Sequence, residues 1–152
     1  MSQPDFSAIA PDDRWGTHLG LEFTEISEGR VCARLEAGEK HQQPMGILHG
    51  GAWCSIVETA ASYGAGYLAH ARGQVGVVGV SNQTDFLRSH SEGWLEVEAE
   101  ALHAGRRQHV WEVRIRRASD AVLVARGQVR FQVLDTMPAD RASENAPHQP
   151  KP

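Results

Sequence analysis

The amino-acid sequence predicts an α+β fold: an antiparallel sheet wrapped around one long central helix. Three observations carry this. Apolar and polar residues alternate in six separate stretches, one stretch between them has helical spacing, and the last strand candidates are joined by short links. A single sheet around one helix leaves a face or an edge to cover, so self-association as a homodimer, or as a dimer of dimers (a homotetramer), is expected.

The elements follow in order. Residues 1–11 read as a flexible lead-in, and the folded unit is placed at 12–134. Leu21 and Phe23, then Val31, Ala33 and Leu35, alternate with polar neighbours on either side of Ser27-Glu28-Gly29, which reads as two strands and a turn. From Gly51 to Leu68 the large apolar residues Trp53, Ile56, Val57, Tyr67 and Leu68 share one helical face, with Ala60 and Gly64 between them. Gly64 and Gly66 weaken a helix intrinsically, so close packing against it is expected. After the helix the period returns to two. Val75–Arg88 is one long strand candidate, and Trp94–Leu102, Gln108–Arg117 and Val122–Leu134 are three more. The last three are separated by short links containing Gly105 or Ser119-Asp120, which suits antiparallel neighbours. The stretch 135–152 carries four prolines and almost no apolar residue; it cannot offset its ordering entropy and is expected to be a disordered tail.

Bulk composition excludes several function classes. At 152 residues, 41% hydrophobic and 22% charged, the chain suits one core. A net charge of -4 implies no general attraction to nucleic acid or to a membrane, so an anionic ligand needs a local basic cluster. No apolar stretch approaches the ~18 residues of a membrane span, and the N-terminus lacks a secretory pattern. Cys32 and Cys54 are isolated and the eight histidines show no paired spacing, so neither a metal nor a cofactor is expected, and the setting is read as cytoplasmic.

The chemistry concentrates in His41–Ala69. Pro44 and Gly46 force a turn, and His49-Gly50-Gly51 leads straight into the helix. The first amides of a helix lack internal acceptors and sit at its positive end, and glycine there admits a close approach. Such a terminus can hold a carbonyl oxygen as it becomes an oxyanion; the plainer alternative is a helix-starting turn. Glu58 is the only charged residue from His49 to Ala69, and the positions three and four away are Cys54, Ser55, Ala61 and Ser62, none cationic. A carboxylate in that setting is either functional or exposed at a gap in the packing.

With Gln43-Pro44-Met45-Gly46-Ile47-Leu48-His49-Gly50-Gly51 followed by Glu58 and Ser62, the chain resembles the hotdog-fold acyl-CoA thioesterases. It is most similar to the branch of 4-hydroxybenzoyl-CoA and dihydroxynaphthoyl-CoA thioesterases; the phenylacetate-pathway thioesterases, with Asp in the acidic position, are more distant. The stretches VGVSNQTDFLRS and HAGRRQHVWEVRI extend the resemblance. It implies that the Gly50 N–H binds the thioester oxygen while Gln43 and His49 line the pocket. Glu58 would act as nucleophile or general base with Ser62 orienting it, and these groups would meet at a dimer interface. Gly51, Arg88, Gly105, Arg106 and Arg107 would contact the acyl-CoA, whose coenzyme A belongs to the substrate. Phe86 stands where some relatives have a polar residue. Hydrolysis of an aromatic acyl-CoA is the expected activity. The alternatives are a non-catalytic acyl-CoA-binding or sensor protein and a hydratase or dehydratase.

Overall fold

The computed structural model describes residues 12–135. The expected lead-in at 1–11, and all but the first residue of the expected tail, lie outside the described residues. A short helix α1 (Arg14–Leu19) opens this region, capped by Asp13, whose carboxylate accepts the Gly16 N–H at 2.8 Å. Six residues are too few to show a period, so the sequence reading did not single it out. Strands β1 (Leu21–Ser27) and β2 (Arg30–Ala37) precede the long helix α2 (Gly50–Ala71). Then come β3 (Gly76–Phe86), β4 (Gly93–Ala104), β5 (Gln108–Arg117) and β6 (Leu123–Leu134).

The six strands form one antiparallel sheet in the order β1-β2-β4-β5-β6-β3, and α2 touches all six. This is the hotdog arrangement, and the period of two explains it. On β4 and β5 the alternate residues Leu95, Val97, Ala99, Trp111, Val113 and Ile115 turn inward and are buried, while their neighbours face out. The helix answers with Trp53, Ile56, Val57, Ala60, Ala61, Ala65 and Leu68, all buried. Gly64 lies under the Trp111 ring: a Cβ there would come within 2.5 Å of Cζ3. The weak helix former is thus retained because the indole occupies the space a side chain would need. α2 runs three residues past the expected end, to Ala71, with its face still buried at Ala69.

The outer face of the sheet is charged. Arg34 pairs with Glu22 at 2.8 Å, Arg30 with Glu25 at 2.9 Å and Glu98 at 3.1 Å, and Arg114 with Glu100 at 3.1 Å. These groups are part exposed, so they keep the face wet and add little stability. Among the described residues no helix is long and apolar enough to cross a membrane.

Candidate active site

The turn before α2 is built by its own side chains. The Gly46 N–H donates to the Gln43 carbonyl at 2.9 Å, and Gly46 takes φ 76°, which favours glycine. The Gln43 side-chain oxygen accepts from the Met45 N–H. His49 is extended (φ -65°, ψ 141°), and its ring Nδ1 accepts the Gly51 N–H at 2.8 Å. His49 is therefore the cap of α2, and the Gly51 amide is already occupied. Gly50, first residue of the helix, keeps its amide at the positive end of the dipole. The Phe86 ring packs over it; a Cβ on Gly50 would lie 2.8 Å from Cε2.

Two turns further along α2, Glu58 stands on the wall of a cavity of about 570 Å³ between the helix and β3. Ser62, Thr59 and Tyr63 continue the helix wall, and Val77, Gly79 and Phe131 face them. Asn82 on β3 donates its amide to Glu58 Oε2 at 2.8 Å, and Thr84 donates its hydroxyl to Asn82 Oδ1 at 2.7 Å. The same Asn82 nitrogen reaches the Cys54 carbonyl at 3.2 Å. Two acceptors on one nitrogen fix which way the amide faces. A Cβ added at Gly79 would collide with Glu58 Oε1, so the missing side chain makes room for the carboxylate. Tyr63 ties α1 to this wall by donating to Asp13 at 2.9 Å. Burial first, and the Asp13 carboxylate second, make its phenol harder to ionise than usual.

The structure groups the sequence candidates in two places. Glu58 and Ser62 share the cavity. His49, Gly50 and Gly51 sit at the start of α2, eight residues before Glu58, or ~12 Å along the helix axis, at Gly50, while Gln43 stays in the turn before it with its side-chain oxygen on the Met45 N–H. Arg88 donates to the Leu123 carbonyl at 3.2 Å, whereas the Arg107 carbonyl accepts from Val133 at 2.9 Å. Those anchors lie ten residues apart on β6, roughly 33 Å at strand rise, so Arg88 and the Gly105-Arg106-Arg107 turn are not one cluster within a chain. Arg72 and Gln74 tie that turn to the end of α2 through the Ala104 and Arg106 carbonyls, at 2.7 and 2.9 Å. The sequence reading missed Asn82, Thr84 and Gly79. An asparagine and a glycine inside a strand, both disfavoured there, were the signal.

Comparison with known proteins agrees with this fold. Residues 45–124 match the Thioesterase superfamily. A Mycobacterium tuberculosis protein named as an esterase is 46% identical over 123 residues, covering 80% of this chain and 87% of its own. Its solved structure superposes with a TM-score of 0.77 at 43% identity, over 82% of this chain and 98% of that one. A 1,4-dihydroxy-2-naphthoyl-CoA hydrolase of Listeria monocytogenes is 33% identical over 105 residues, covering 69% of this chain and 84% of its own. With the hotdog sheet around α2 in place, the chain belongs to the thioesterase superfamily and is a thioester hydrolase.

Proposed function

We propose that the chain hydrolyses an aromatic acyl-CoA, taking up one water and releasing the carboxylic acid and the free coenzyme A thiol. The observation that carries this reading is Glu58: a carboxylate held on the wall of a cavity of about 570 Å³, in a helical stretch with no other charge. Glu58 either attacks the thioester carbon or takes a proton from the attacking water. The Gly50 N–H, aided by the helix dipole, stabilises the oxyanion. Gln43, His49 and Ser62 shape and orient the groups around that carbonyl. The Tyr63 and Phe131 rings beside the cavity, and a relative that hydrolyses a dihydroxynaphthoyl-CoA, favour an aromatic acyl group. Two free cysteines suit a cytoplasmic, reducing setting.

A homodimer completes the site. One carbonyl must lie within ~3 Å of both the oxyanion donor and the base or nucleophile, which Gly50 and Glu58 of one chain, ~12 Å apart along α2, do not allow. Gly50 of one copy therefore works with Glu58 of the second across a two-fold axis. Arg88 from one copy and Gly105-Arg106-Arg107 from the other are the phosphate contacts.

A mixing experiment tests this. Glu58→Gln removes the reactive carboxylate. Gly50→Pro removes the N–H donor at a position where proline is favoured, after an extended His49. A Cβ at Gly50 meets the Phe86 ring at 2.8 Å, so that ring must shift, and the variant is first checked for a parent-like fold and assembly. Each variant alone should hydrolyse benzoyl-CoA at least about a hundredfold slower than the parent. Refolded together in equal amounts they should recover about a quarter of parent activity, because half the dimers are mixed and each carries one intact site of two. No recovery from folded, mixed dimers would mean that each chain holds its own complete site.

A further inference from the structure

We infer that Asn82 is a positioning residue for Glu58, locked in place by Thr84, and that Glu58 Oε1 is therefore the reacting oxygen. This deepens the reading of Glu58 as catalytic and rests on it. A glutamate side chain has three rotatable bonds, and a carboxylate free to turn spends little time in a productive pose. Here the two oxygens differ. Oε2 accepts the Asn82 amide at 2.8 Å, whereas Oε1 lies over the bare backbone of Gly79, at the cavity wall.

The lock has three parts. The Asn82 nitrogen serves Glu58 and the Cys54 carbonyl, one turn earlier on α2, so the strand grips the helix at two points. Thr84 holds Asn82 Oδ1 from the other side at 2.7 Å, which keeps the amide from turning its oxygen towards the carboxylate. Gly79 leaves the space that any side chain would take from Oε1. All three residues lie on β3, so one strand orients the carboxylate, and it does so across the sequence from the helix that carries it. Asp12, Asp13, Tyr63 and His70 are the other titratable groups around the same cavity.

The test compares Asn82→Ala, Asn82→Asp, Thr84→Val and Thr84→Ser with the parent and with Glu58→Gln, in full-length protein and with benzoyl-CoA over a range of pH. Asn82→Ala should lower kcat by about ten- to a hundredfold with KM changed less than about threefold, since the amide acts on Glu58 and not on substrate. Asn82→Asp sets a second carboxylate against the first, so the acid limb of the kcat profile should move to higher pH. Thr84→Val should lose kcat and Thr84→Ser should restore it, and this pair decides the matter should Asn82→Ala fail to fold. Parent kcat and an unmoved pH profile in the Asn82 variants, beside an inactive Glu58→Gln, would overturn the positioning role alone. So would a loss confined to KM. A Glu58→Gln variant at the parent rate would instead overturn the catalytic reading beneath it.

Discussion

The two edges of the sheet are built on opposite plans. β1 is short, seven residues, and its exposed positions carry Glu22 and Glu25, each paired with an arginine of β2. A register shift between Phe23 and Glu25 breaks its ladder. Charge and brevity are usual devices that stop an edge from accepting another strand; β3 has a register shift too, between Gly79 and Ser81, so the bulge does not separate the two edges. β3 is longer, eleven residues, and shows water Val78 and Val80 at 41% and 52% exposure, with Phe86 at its end at 53%. Its exposure does not alternate: Val78, Gly79 and Val80 are exposed in succession, unlike the clean inside–outside pattern of β4 and β5. One edge is guarded against strand addition and the other is left open. The open edge also carries Gly79, Asn82 and Thr84, so the strand that supports Glu58 is the one at which the proposed dimer would form.

The largest effect should come from making β3 resemble β1. Val78→Lys with Val80→Lys places charge on the open edge, and the protein should sediment as a monomer that hydrolyses at least about a hundredfold slower, because neither half-site is then complete. A fully active monomer would break the comparison and the shared site with it.

An intermediate effect, felt at both edges alike, is expected from the core. His109 is fully buried on the inward face of β5, and among the described residues neither ring nitrogen has a hydrogen-bond partner. Burial above all, with the nearby Arg72 charge, makes it harder to protonate than an ordinary histidine at 6.5; a weak approach to the Gly105 backbone works the other way. The unfolded chain therefore binds the proton more readily than the folded one. This contribution to stability is whole above pH 6.5 and is lost as pH falls from there towards the lower folded value. Melting temperatures measured from neutral pH downward should show this loss, and His109→Leu, which buries no unpaired nitrogen, should flatten it. A slope unchanged by that substitution would assign the acid sensitivity elsewhere.

The smallest effect belongs to the closed edge. Glu22→Ala removes an exposed bridge to Arg34 and should cost no more than about 0.5 kcal/mol in denaturant unfolding, with oligomeric state and turnover unchanged. A change in assembly from this variant would mean that β1, too, meets a partner.

Much of the fold was legible in the chain itself, because alternation and helical spacing are local properties. The inward faces of β4 and β5, the position of α2 and the expectation of a close neighbour at Gly64 all follow from residues within a few positions of each other. Glu58 stood out for the same reason: its isolation among uncharged neighbours is visible in one turn of helix either side. Alternation, however, says which face a residue takes and not which strand lies beside it. That β2 pairs with β4 and β3 with β6, leaving β3 at the edge, is decided by how the sheet closes around α2. The partner of Glu58 is hidden for the same reason, since Asn82 lies 24 residues away and meets it only when β3 packs on the helix. The arginines show the reverse case. Arg88 and the Gly105-Arg106-Arg107 turn looked alike as basic features, and folding sends them to opposite ends of β6. The sequence by itself determined the six strands, the long helix and the isolated carboxylate, through local periodicity and local charge. Only the tertiary structure decided what stands against that carboxylate and which edge is left open, because both depend on contacts between segments far apart in the chain.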